Sequence, residues 1–132
     1  MTKQHYLLDT HALIFWAAST ELSDAFIDFL DDQQRLGALF VSTLSFWEAA
    51  LLAKKGRIGV TDVHAWKDDL LNNTNLQLID PTATEMIDSV SLPEHHKDPF
   101  DRLLIAQANR RTMTLVTRDM DIRKYDVSRL WM

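Results

Sequence analysis

Apolar residues along this chain fall into short runs separated by longer amphipathic stretches. Residues 5–9, 38–42, 76–80 and 114–117 are dense in Leu, Ile, Val and Phe, with Gln77 the one polar residue standing between apolar ones. Strands covered on both faces read this way. Between them, residues 10–16 show no period of two and read as helix. Residues 22–30 carry Phe26, Ile27 and Leu30 at helical spacing behind a Ser23 cap. A third helix opens at residues 45–48 and runs through Leu52, with Gly56 as its stop, and here Ser45 and Glu48 match a capping box. Residues 61–73 put Val63, Trp66, Leu70 and Leu71 on one side, so Trp66 and Leu70 face Trp47 and Leu51 across a helical hairpin. Pro81 and Thr82 start a helix that reaches Val90 and breaks at Leu92-Pro93. Asp98 then stands at an N-cap, Pro99 at the first helical position and Asp101 in the first turn of a helix running through Ala108. Residues 127–131 close the sheet as an edge strand.

Strands alternating with helices at this spacing call for right-handed parallel crossovers. The expected architecture is therefore a three-layer α/β/α domain with a central, mainly parallel sheet and a helical hairpin excursion. At 132 residues it is read as one domain, large enough to bury about two thirds of the surface its unfolded chain would expose. The absence of cysteine excludes disulfides, thiolate catalysis and cysteine zinc sites. No run approaches the roughly 18 apolar residues that span a bilayer, and no leader-like segment opens the chain. A soluble, unprocessed, cytoplasmic protein is the expectation.

Acids punctuate the core elements. Asp9 ends the first run, Glu48 follows the second, Asp98 and Asp101 open the central helix, and Asp119 follows the fourth strand. Each alone is accounted for by helix capping. Together they converge, because in an open parallel sheet the strand ends share one crevice. Converging carboxylates repel unless a cation sits among them.

The net charge of -5 argues against a polyanionic partner until its distribution is read. Residues 1–53 hold two basic and seven acidic residues, whereas residues 97–129 hold eight basic and five acidic. Three of those five acids are Asp98, Asp101 and Asp119, so a bound cation turns the C-terminal third positive. Clustered carboxylates with neither cysteine nor a glycine-rich phosphate loop make a hard-oxygen site suited to Mg²⁺ or Mn²⁺. Such an ion activates water and neutralises a leaving oxygen in phosphodiester hydrolysis.

These residues carry a resemblance that spans nearly the whole chain. Leu8-Asp9-Thr10-His11-Ala12-Leu13, Ser45-Phe46-Trp47-Glu48, Leu92-Pro93 followed by Asp98-Pro99-Phe100-Asp101-Arg102-Leu103-Leu104-Ile105-Ala106-Gln107-Ala108, and Val116-Thr117-Arg118-Asp119 resemble the motifs of PIN-domain ribonucleases of the VapC toxin type. The third motif is the specific one. The resemblance implies one PIN-like nuclease domain over residues 1–132. It implies an acidic catalytic and metal site of Asp9, Glu48, Asp101 and Asp119, supported by Thr10, Asp98, Arg102 and Thr117. It further implies a Mg²⁺- or Mn²⁺-dependent endoribonuclease that leaves 5′-phosphate and 3′-hydroxyl ends, a homodimer, and a cognate antitoxin wrapping the hairpin. One departure is Leu52, where the subgroup often carries Lys; Lys54 and Lys55 are the nearby substitutes. The residues alone leave two alternatives open, an aspartate-based phosphoryl-transfer domain and an inactive interaction module. The first normally wants a second Asp at His11, or a Lys where Arg118-Asp119 stands.

Overall fold

The computed structural model describes residues 3–132. Five parallel strands, β1 (Tyr6–Leu8), β2 (Leu39–Ser42), β3 (Gln77–Ile79), β4 (Thr114–Val116) and β5 (Arg129–Leu130), lie in the order β3-β2-β1-β4-β5. The chain steps outward through β2 and β3, then returns to the other side of β1. That reversal puts the switch point between β1 and β4, where the crevice of such a sheet opens.

Alternation along the strands splits the core in two. Leu8, Val41 and Val116 face a layer built from Leu13 and Trp16 of α1 (Thr10–Ala18), Phe26 and Leu30 of α2 (Asp24–Arg35), and Leu70 of α4 (Val63–Asn73). Leu7 and Leu115 face Leu104, Ile105 and Ala108 of α6 (Pro99–Arg110). One-residue steps that reverse the buried face are the period of a strand. The runs of β1, β2 and β4 are therefore strands covered on both sides, whereas Leu78 of the edge strand β3 is 43% exposed; the three-layer expectation holds.

Local chemistry fixes the ends. Gly56 follows α3 (Thr43–Lys54) at φ +69°, the left-handed turn expected of it as a stop. Thr82 and Glu85 form a reciprocal capping box on α5 (Ala83–Ser91). The capping box read at Ser45 and Glu48 is corrected: β2 runs straight into α3, and the Ser42 hydroxyl takes the Leu44 N–H as the true N-cap. Ser45 is instead buried inside the helix, accepting the Thr10 hydroxyl at 3.1 Å. The last strand is shorter than the stretch 127–131, because Val127 packs in the core of the α6 layer and only Arg129 and Leu130 pair with β4. Among the described residues no helix is long and apolar enough to cross a membrane.

Candidate active site

Asp9 leaves the end of β1 and caps α1, its Oδ1 accepting the Ala12 N–H at 2.7 Å. Across the switch point, β4 continues into Thr117, whose Oγ1 accepts the Asp119 N–H at 3.1 Å. The buried Thr117 side chain also acts on Asp9 across the two strand ends, holding its carboxyl pKa down against burial. Asp101 comes in on the first turn of α6, with Asp98 as the N-cap accepting the Phe100 N–H at 2.9 Å. Glu48 arrives from α3. These five acids line one cavity of about 350 Å³, together with His11, His96 and Arg118.

The crowding is electrostatically costly. Burial, reinforced by Asp119 and opposed by the Thr117 side chain, the Ala12 hydrogen bond and His11, raises the Asp9 carboxyl to about 6. Burial, then the charges of Asp98, Asp9 and Glu48, raises Asp101 to about 7 against the pull of His96. Glu48 is pushed up by burial and by Asp98, with Thr10 and His11 pulling the other way. Its Oε1 is buried without a hydrogen-bond partner. An orphaned carboxylate oxygen beside two reluctantly ionised neighbours is what a divalent cation relieves. Among the described residues, ligand atoms within 4.8 Å of one another form two sets, His96 with Asp98 and Asp101 and His96 with Asp119 and Asp121, while Asp9 and Glu48 line the same cavity outside those sets; carboxylate oxygens of this kind suit a hard ion.

Sequence reasoning missed His96. Its Nε2 lies 2.8 Å from Asp101 Oδ2 and 3.4 Å from Asp119 Oδ2, spanning the two acids. Burial alone lowers the imidazole pKa, but the hydrogen bond and charge of Asp101 and the charges of Asp119 and Asp98 outweigh it and raise the pKa. The signal available was its place two residues before the Asp98 cap, whose N–H approaches His96 Nδ1 at 3.5 Å.

The supporting residues divide. Thr10 and Thr117 are buried beside the acids. Arg102 points elsewhere: its guanidinium donates to the carbonyls of Ser89, Leu92, Pro93 and His96 and to the Tyr125 hydroxyl. That hydroxyl in turn accepts the His96 N–H at 2.8 Å. Arg102 thus supports the site by shaping the loop that carries His96. Beyond Glu48 lies a wider groove of about 800 Å³, sharing His11, Glu48 and Asp98 with the acidic cavity and lined by Leu52, Lys55, Arg57 and Lys97 among others. Lys55, and not Lys54, lines this groove together with Leu52. On the hairpin, Trp47 is 63% exposed while Leu70 is buried at 7%. Leu51 and Trp66 are half-buried.

A family model described as PIN domain matches residues 6–128. The chain is 31% identical over 122 residues to Ribonuclease VapC22 of Mycobacterium tuberculosis, covering 90% of each. Among solved structures it resembles VapBC2 from Rickettsia felis bound to a promoter DNA fragment, with a TM-score of 0.73, 16% identity, and 96% of this chain and 98% of that one covered. DNA-bound VapBC from Salmonella typhimurium gives 0.72 at 13% identity, covering 98% of both chains. PAE2754 from Pyrobaculum aerophilum gives 0.64 at 21%, covering 95% of this chain and 89% of that one.

Proposed function

The chain belongs to the PIN-domain family, of the VapC type, and from that premise we propose that it is a metal-dependent endoribonuclease, the toxin of a toxin–antitoxin pair. The observation that carries the reading is the meeting of Asp9, Glu48, Asp101 and Asp119, from four separate elements, in one cavity at the switch point. Residues 1–132 act as one nuclease domain in the cytoplasm.

In this reading Asp9 and Asp101 hold a Mg²⁺ or Mn²⁺ ion, with Glu48 and Asp119 completing the oxygen set. When bound, such an ion lowers the pKa of water and neutralises charge on the leaving oxygen of an RNA phosphodiester. The chain's own residues supply the geometry. Thr117 fixes Asp9 against Asp119, and the Asp98 cap sets the first turn of α6 so that Asp101 faces Asp9. His96 holds Asp101 and Asp119 at a common spacing, and Arg102 with Tyr125 holds His96. Lys55, Arg57 and Lys97 draw the RNA strand along the adjoining groove. The exposed Trp47, T-shaped against Phe100 at 5.1 Å, anchors the antitoxin on the hairpin, and self-association to a homodimer uses another face.

The test is incubation of the purified chain with an RNA pool in Mg²⁺ or Mn²⁺, with sequencing of the ends. Cleavage leaving 5′-phosphates and abolished by chelation is expected; a rate unchanged by chelation refutes the metal-dependent reading. Trp47→Ser is expected to weaken antitoxin co-purification about tenfold or more, since exposed aromatic anchors carry interface energy, with little change in melting temperature. Undiminished capture removes the hairpin from the interface.

A further inference from the structure

The basic residues of the C-terminal third do not share one fate. Arg110 pairs with Asp88, Arg111 with Glu85, and Lys124 with Asp121. Arg118, Arg123 and Arg129 instead converge, with Thr117, Met120 and Trp131, on a cavity of about 570 Å³. Arg129 makes no side-chain hydrogen bond or ion pair among the described residues, and Arg123 reaches only the Met120 sulfur at 3.4 Å. Arg118 has one loose carboxylate, Glu21 at 3.6 Å. It is held by aromatic faces, its guanidinium carbon 4.6 Å from the Phe15 centroid and 5.7 Å from that of Trp131.

Three guanidinium groups around one hollow repel one another, and an anion between them removes that cost. Their planar forks match phosphate oxygens. The place of the cavity selects the anion. Arg118 lines both this cavity and the acidic one, while His11, Glu48 and Asp98 are shared between the acidic cavity and the groove of Lys55, Arg57 and Lys97. The acidic cavity therefore adjoins both basic hollows, one through Arg118 and the other through His11, Glu48 and Asp98. A phosphodiester strand passes from a basic hollow across a cation at the acids; an acidic peptide meets carboxylates there.

We propose that the Arg118, Arg123 and Arg129 cavity is a binding subsite for a backbone phosphate of single-stranded RNA, flanking the nucleotide at the acids. The neighbouring base lies against Met120 and Trp131, as unpaired bases do on apolar and aromatic platforms. The inference rests on the nuclease reading for the direction of the strand, but its test reads binding.

The experiment measures fluorescence anisotropy of a labelled ten-nucleotide single-stranded RNA with Ca²⁺ present, over a salt series. R123A/R129A is expected to weaken binding about tenfold or more and to make the slope of log affinity against log salt shallower by about 0.7 for each phosphate no longer neutralised. R123K/R129K, which keeps the charge, recovers most of the slope, and this separates charge loss from misfolding. Arg110→Ala, on a residue already paired with Asp88, changes neither quantity. Equal affinity and slope in wild type and R123A/R129A overturn the proposal, as does wild type that fails to bind. Poly-glutamate displacing the RNA as well as poly(U) does assigns the cavity to an acidic protein segment and overturns it too. Cleavage in Mg²⁺ by the same samples separates the two readings. Wild type that cuts while binding ignores the arginines defeats this subsite alone; wild type that binds through them and cuts nothing defeats the hydrolysis alone.

Discussion

Asp101→Asn separates a metal ligand from a helix-start acid. Burial and the charges of Asp98 and Asp9 lift Asp101 from the ordinary 3.8 to about 7. Three pH units correspond to a ceiling of about 4 kcal/mol against the ionised form. The folded pKa lies above the unfolded one, so the folded state binds the proton more tightly. Wild-type stability in chelator is therefore fullest below about pH 4 and falls as pH rises through 4 to 7. Asn has no charge to remove, keeps an oxygen for His96, and escapes this loss.

Allowing half the ceiling for relaxation and water entry, the variant is expected to gain about 2 kcal/mol at pH 8, or roughly 5–8 °C in Tm for a chain of this size. At pH 4 the two proteins melt together. Adding Mg²⁺ reverses the order, since an ion at a hundred times its Kd stabilises wild type by about 2.7 kcal/mol and finds one ligand fewer in the variant. RNA cleavage by the variant is expected to fall below detection. The assays are differential scanning calorimetry across pH 4–8, with chelator and with Mg²⁺, and cleavage of an RNA pool at equal protein concentration. Loss of the first-turn charge alone predicts the opposite: activity kept and stability lowered by about 0.3–1 kcal/mol. A variant that melts lower than wild type at pH 8, or cuts as fast, refutes the argument.

Two further substitutions probe the frame around the site. Arg111→Ala strips the partner from Glu85, whose carboxylate is 1% exposed with Arg111 Nε at 2.7 Å; a loss of about 3–5 kcal/mol at pH 7 is expected by denaturant titration. Burial raises the Glu85 pKa, but the hydrogen bond from Arg111 and those at Thr82 outweigh it and hold the pKa low. The pair's contribution is thus present above the unfolded Glu pKa and fades as pH falls, so an Arg111→Ala deficit undiminished at pH 3 counts against it. Thr117→Val removes a hydroxyl that lowers Asp9, so its pKa is expected to rise above about 6. The acidic limb of the cleavage pH profile should move upward, and an unmoved limb disconnects Thr117 from Asp9.

Elements whose burial is decided by their own residues were readable in advance. The runs around Leu7, Val41 and Leu115 announced strands because nothing polar interrupts them, the run around Ile79 is broken only by Gln77, and β/α alternation then gathered Asp9, Asp101 and Asp119 at one end. Features that depend on a distant partner were not readable. Ser45 looked like a cap because the spacing to Glu48 is that of a capping box; only the direct passage of β2 into α3 moved the cap to Ser42. Arg102 was counted among the residues supporting the acids without its role, since a one-dimensional pattern cannot tell a guanidinium facing phosphate from one satisfied by carbonyls of residues 89–96. His96 escaped for the same reason, its place being set by Arg102 and Tyr125 rather than by its neighbours in the chain. Charge is the plainest case. Eight cations in residues 97–129 suggested a positive surface, yet pairing occupies Arg110, Arg111 and Lys124, and loop carbonyls occupy Arg102. The remaining cations, Lys97, Arg118, Arg123 and Arg129, all line the acidic cavity or a hollow that shares residues with it. It is the distribution of counter-charges, visible only in the fold, that turns a basic segment into a directed path toward the acids.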